Sequence, residues 1–233
     1  MRTQATCPGR YGGNLILPTQ GNPKSFNPVI ANETSTTSLI MGPVFQGLIS
    51  FDPVKFESYP LLAESYESSE DGLTWTFRLR KGLKWSDGHP FTADDLMFNI
   101  DVIFDPKIAS SAKDLFKDSK GGFPTYEKVD EHTVRFVLTE VNVLFSSAVG
   151  SVYLLPKHKW GKAHAEGRMN KVLLLDTPPE DIVTMGPFRV KSFTTEQRLV
   201  LERNPHYWQV DKWGKLEHSA AQQQLDDAVA ATS

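Results

Sequence analysis

Asp71-Gly72-Leu73-Thr74-Trp75-Thr76-Phe77-Arg78-Leu79-Arg80, followed at once by Lys84-Trp85-Ser86-Asp87-Gly88-His89-Pro90-Phe91-Thr92-Ala93-Asp94-Asp95, is the stretch on which the fold turns. Asp71-Gly72 marks a turn. Leu73, Trp75, Phe77 and Leu79 then alternate with Thr74, Thr76, Arg78 and Arg80, which predicts a strand with one buried face. A second turn at Asp87-Gly88 leads to a helix start, where Thr92 can accept from free N–H groups and Asp95 can bond back. Asp94 and Asp95 also complement the positive end of the helix dipole. Leu96, Met97, Ile100, Ile103 and Phe104 mark the inner face, and Asp105-Pro106 ends the helix.

Upstream, residues 1–13 end in Gly12-Gly13 and read as a flexible lead-in, and Asn14-Leu15-Ile16-Leu17 reads as a short first strand. Gln20 to Pro28 carries Gly21, Asn22, Pro23, Asn27 and Pro28 and should be a loop. From Ser35 or Thr36, either of which can cap, Leu39, Ile40, Val44, Phe45 and Leu48 recur at helical spacing, with Pro43 forcing a kink or an early stop. Downstream, Val134, Phe136 and Leu138 predict another strand. Phe188 to Phe193 and Arg198 to Glu202 predict a hairpin after Gly186-Pro187. Leu216 to Ala230, rich in Ala and Gln, reads as a weak helix of different design. The fold class is therefore mixed α and β.

Composition removes several functions. With 233 residues, 39% hydrophobic and 23% charged, the chain can bury a core. A net charge of -3, with the basic residues scattered, predicts no nucleic-acid partner. No apolar run is long enough to span a membrane, and Met1 to Gly13 lacks the apolar stretch of a signal peptide. Cys7 is the only cysteine, so no internal disulfide can form.

The candidate chemistry is sparse. Six histidines stand at 89, 132, 158, 164, 206 and 218, and only His158 and His164 are close in the chain, so the spacing predicts no metal site. No nucleophile elbow, Walker loop or dinucleotide fingerprint occurs, so no cofactor and no enzyme is expected. Asp94-Asp95 is explained by capping rather than acid–base work. Trp75, Phe77 and Trp85 could stack on a ligand but read more simply as core. The polar loop Asn32-Glu33-Thr34-Ser35-Thr36-Thr37 has two readings: donors and acceptors that meet a ligand, or an ordinary N-cap.

Together with Leu62-Ala63-Glu64-Ser65-Tyr66, the opening stretch resembles the signature region of family 5 extracellular solute-binding proteins, which deliver substrates to ABC importers. The resemblance continues through Phe26-Asn27-Pro28, Phe45-Gln46-Gly47-Leu48, Asp105-Pro106-Lys107, Leu155-Pro156-Lys157-His158, Met185-Gly186-Pro187-Phe188 and Glu202-Arg203-Asn204-Pro205-His206-Tyr207-Trp208. These motifs occur in unbroken order over roughly residues 13–212.

The resemblance implies an α/β (mixed α+β) fold: a lobe like those of type II periplasmic binding proteins, carrying an inserted smaller α+β domain. Residues 14–37 and 150–210 would form the first lobe, 38–149 the extra domain, and 211–233 an atypical tail. Family members are about twice this length, so the resemblance implies an N-terminal portion whose second lobe is missing. It also implies an ABC-importer receptor that captures oligopeptides or similar solutes in the periplasm or at the cell surface, with an importer permease as partner. Membrane contact would be indirect, through the importer or a lipid on Cys7. Asn32, Glu33, Thr34, Ser35 and Thr36 would line the ligand cleft, with Ala112 where oligopeptide binders place an aromatic. An oligosaccharide receptor and a non-binding interaction fragment are the alternatives.

Overall fold

The computed structural model describes residues 15–18, 21–52, 55–110 and 112–210. The expected lead-in, Asn14, Cys7 and the expected helix at Leu216 to Ala230 lie outside these residues. The opening stretch forms the centre of a four-stranded antiparallel sheet in the order β3-β4-β6-β5. β3 is Ala63–Ser68, β4 Thr74–Leu79, β5 Thr125–Asp130 and β6 Thr133–Val137. Phe77 stands opposite Tyr66 on one side and Val134 on the other, while Trp75 stands opposite Phe136. Two antiparallel hairpins flank the sheet in the chain: β1–β2 (Ile49–Asp52 and Glu57–Pro60) and β7–β8 (Phe188–Thr194 and Arg198–Arg203).

The helix expected from Thr92 is α2, Ala93–Phe104, and it begins with the capping box that the sequence predicts: the Thr92 N–H donates to Asp95 Oδ2 at 3.0 Å. Its burial is wider than one inner face. Leu96, Ile100 and Ile103 pack into a core with Phe77, Trp85, Phe91, Val134, Phe136 and Phe145. Phe98 and Val102 pack into a second core with Phe26, Ile40, Phe45, Leu155 and Val190. The helix is thus buried on two sides, and a single apolar stripe at helical spacing does not reveal a second one interleaved with polar Asn99. Asn99 is fully buried because its side chain donates to Leu155 O at 2.8 Å and accepts from Leu155 N at 2.9 Å.

Two expectations are corrected. Leu15 to Leu17 is not a strand: Leu15 and Ile16 are exposed, and no strand among the described residues pairs with them. The helix expected after Ser35 or Thr36 is α1, Thr34–Ile40, whose last turn closes at Met41: the early stop expected at Pro43, which would remove a helical hydrogen bond. Its N-cap, however, is neither Ser35 nor Thr36. Glu33 holds that position, and its carbonyl accepts from Thr36 and Thr37. The helices α3, Phe145–Gly150, and α4, Lys157–Ala165, follow the sheet.

The short motifs meet one another in space. Gly186 lies where a β-carbon would stand 2.4 Å from the Val44 carbonyl oxygen, and its N–H donates to that oxygen at 2.8 Å. Gly47 is pressed just as closely on the Gly150 carbonyl. Buried Asn204 donates to Gly186 O, and buried Asn27 donates to Met169 O. The Arg80 guanidinium lies 4.8 Å over the Trp208 ring. Each motif is therefore a backbone crossing or an anchor of one.

Candidate ligand-binding site

Two recesses among the described residues stand as candidates. One, of about 310 Å³, lies between residues 117–124 and 138–144. Its polar groups are already satisfied by each other: Asp118 accepts from the Thr139 hydroxyl at 2.5 Å and from Gly122 N at 2.7 Å, and Glu140 accepts from the Ser119 hydroxyl at 2.7 Å. The other, of about 330 Å³, opens between the loop before α1 and the segment after α3. Here polar groups stay unpaired, which is the condition a ligand can exploit.

The second recess is built from four pieces. Pro28, Val29, Ala31 and Asn32 form one wall, and Thr37 and Met41 of α1 and its C-cap continue it. Ser151, Val152 and Tyr153 form a further part of the lining, and Ile103, Ser110 and Ala112 complete it. The first wall is held from behind, because Asn27 accepts from Val29 N with its side-chain oxygen and from Ala31 N with its carbonyl. Asn32 itself, side chain and backbone, has no hydrogen-bond partner among the described residues, and neither does the backbone of Tyr153. Glu33 is extended, at φ -87° and ψ 138°. Two residues of non-helical backbone without hydrogen-bond partners among the described residues, Asn32 and Tyr153, thus line one opening.

The lining carries no charge. Tyr153 is its only ionisable side chain, and burial pushes that phenol above its ordinary range, so it remains an O–H donor at neutral pH. The Ser110 hydroxyl is buried without a partner among the described residues. A neutral, partly apolar recess with unpaired backbone groups suits an uncharged stretch of peptide or a hydroxyl-rich ligand, bound by hydrogen bonds and shape.

Of the five residues expected to line a cleft, Asn32 is at the recess. Glu33 caps α1 beside it, and Thr34 is exposed. Ser35 lies against Gly21. Thr36 is fully buried, and its hydroxyl oxygen accepts from Lys24 N at 2.9 Å, which ties down the preceding loop. Ala112, placed at the cleft by resemblance alone, does line the recess. Met41, Ser110, Ser151 and Tyr153 escape sequence reasoning because they come from three separate segments and no periodic pattern links them. The same is true of Asp87, His89 and His158: distant or unpatterned in the chain, their ligand atoms all lie within 4.8 Å of one another. Trp85 and Phe77 are fully buried, so their role is packing.

Comparison with known proteins agrees with this architecture. A family model for bacterial extracellular solute-binding proteins, family 5 Middle, matches residues 57–230. The dipeptide-binding protein of Escherichia coli (strain K12) is 30% identical over 214 residues, 83% of this chain and 38% of that relative. The periplasmic alpha-galactoside-binding protein of Rhizobium meliloti (strain 1021) is 31% identical over 220 residues, 88% of this chain and 32% of the relative. The crystal structure of the ABC transporter substrate binding protein CtaP of Listeria monocytogenes superposes with a TM-score of 0.70 at 28% identity. That match covers 94% of this chain and 43% of the other. The chain therefore spans less than half the length of the relatives it matches. No helix among the described residues is long and apolar enough to cross a membrane.

Proposed function

The chain belongs to family 5 of the bacterial extracellular solute-binding proteins, and from that premise we propose that it supplies one wall of a cleft that captures an extended solute outside the cytoplasmic membrane. The solute class is oligopeptide, and the captured molecule is handed to the permease of an ABC importer; nothing is chemically transformed. The observation that carries this reading is the neutral recess of about 330 Å³ lined by Asn32 and Tyr153, whose backbone groups have no hydrogen-bond partner among the described residues. Extended peptides satisfy such groups by adding main-chain hydrogen bonds of their own. In this reading, residues 14–37 and 150–210 are the first lobe and 38–149 form the extra domain, and the recess takes its lining from both.

A second solute class is favoured by one finding. A relative named for α-galactoside binding matches as well as those named for peptides, and uncharged hydroxyl and backbone donors serve a sugar equally. Isothermal titration of the 233-residue chain with pooled tri- to pentapeptides and with pooled oligosaccharides separates the two. The peptide reading expects saturable heat from the peptide pool alone, weakened about tenfold by Tyr153→Ala. Heat from the oligosaccharide pool alone reassigns the solute, and no saturable heat from either pool at millimolar concentration contradicts capture by this wall.

A further inference from the structure

Asp87, His89 and His158 meet on the surface, far from the recess in sequence and in lining. Asp87 Oδ2 lies 2.7 Å from His158 Nε2 and 3.4 Å from His89 Nδ1, and the two imidazoles stack at 4.0 Å with 16° between their planes. We infer that these three side chains form a divalent-cation site, suited to Zn2+, that clasps the turn before α2 to the first turn of α4. Two imidazoles and one carboxylate are the donor set that zinc takes in three-ligand sites, with the fourth position open to water. Nitrogen and oxygen ligands about 2.0–2.1 Å from a tetrahedral ion stand about 3.3 Å apart. The His89 contact already matches that spacing; to admit the ion, His158 withdraws by about half an ångström and the exposed, stacked rings turn out of parallel so that both nitrogen lone pairs converge on it.

The backbone beneath is preorganised on both sides. The turn is closed by Trp85 N to His89 O at 2.8 Å and Gly88 N to Trp85 O at 2.8 Å, and Ser86 exchanges two bonds with Thr184. The His89 N–H donates to Asp87 Oδ1 at 3.1 Å, which leaves Oδ2 turned to the imidazoles. Across from it, α4 starts where Lys157 N donates to the buried Asp95 at 2.9 Å. The backbone that carries the three ligands is thus fixed, and the Asp87 carboxylate has a supporting hydrogen bond of its own. The side chains retain 28%, 59% and 27% exposure for Asp87, His89 and His158, so an ion has a route in from solvent. The His206 ring packs against Gly88 of the same turn, adding a third imidazole to the neighbourhood. On binding, the metal takes the Nε2 lone pair of His158, and that ring carries its one N–H on Nδ1.

The test is titration of the tag-free 233-residue chain with Zn2+ in a non-chelating buffer, read by calorimetry and by melting temperature, with Co2+ as a spectroscopic probe. The expected result is one equivalent bound, an upward melting shift, and cobalt bands without a thiolate charge-transfer band. His89→Gln and His158→Gln should each weaken binding at least tenfold. His164→Gln, which removes a lone imidazole paired with Asp105 at 3.2 Å, should leave the titration unchanged. Absence of a saturable equivalent, unchanged affinity in both His89 and His158 variants, or a thiolate band pointing to Cys7 would each overturn the assignment.

Discussion

Asn27, Asn99 and Asn204 are buried polar residues that each join segments distant in the chain, and their amides make the bonds that loops need when no sheet provides them. Asn99 makes three such bonds: to Asp95 O at 2.7 Å and to both backbone groups of Leu155. Asn99→Ala removes them and leaves the Leu155 groups without partners in an apolar setting, so it should cost about 2–4 kcal/mol. Urea unfolding measures this, and a loss below half a kcal/mol would show that the amide is replaceable. Gly186 and Gly47 act by absence of a side chain. A methyl at either position meets a carbonyl oxygen at 2.4 Å, so Gly186→Ala should destabilise by about 1–3 kcal/mol through forced backbone shifts. A neutral effect in the same unfolding assay would refute the close crossing.

Among the elements, β4, β6, α2 and the β7–β8 hairpin were legible in the sequence because each carries a period and a punctuation that agree. Leu73 to Leu79 alternates behind Asp71-Gly72, and α2 starts on a capping box that local chemistry alone specifies. The early stop of α1 was legible in Pro43, although the apolar residues after it keep a helical spacing while they serve a turn with a Met41–Phe45 bridge. Leu15 to Leu17 was misread because its apolar residues could mark a strand, while strand formation depends on a partner no local pattern names. The candidate site was less legible than the fold. Asn32 stood out as part of a polar loop, but Thr36 has the same character and is a buried anchor. Polarity does not tell which side of a loop faces inward; that is set by Lys24, twelve residues away. The burial of α2 on two sides carries its own prediction. Ile100→Ala opens a cavity in one core and Val102→Ala in the other, and each should lower stability, by about 2–4 and about 1–3 kcal/mol. Because one helix serves both cores, Trp85 in the first and Trp160 against the second should report one transition. Tryptophan fluorescence and far-UV circular dichroism that separate into two midpoints would show that the cores unfold independently.

For the molecule as a whole, acid is a direct probe of the loops. The carboxyls of Asp71, Asp105 and Asp118 are held below the usual range, by the hydroxyl of Ser69, the backbone N–H of Lys107 and the hydroxyl of Thr139 respectively. Their stabilisation is present above the unfolded carboxylate range near pH 4 and is lost as pH falls through the lower folded values. Buried Asp95 runs the other way: burial raises its folded value, so its contribution is greatest in acid and fades as pH rises through that value. Glu67, Asp87, Asp94, Asp114 and Asp130 are held low as well, so depressed carboxyls far outnumber Asp95 and the urea midpoint should fall between about pH 5 and pH 3. Asp118→Asn should make that fall shallower, and an unchanged slope would show that the Asp118 loop adds nothing to acid sensitivity.

The claim on which the functional account stands is that solute meets this chain at the recess between Asn32 and Tyr153. The direct measurement is a two-dimensional amide NMR titration of the isotope-labelled 233-residue chain with a short peptide, which detects even weak binding and locates it. The account predicts saturable shifts concentrated at the amides of Asn32, Glu33, Thr37, Ala112, Val152 and Tyr153. Shifts centred on the recess at Asp118 and Glu140, or no saturable shift at millimolar peptide, would contradict it.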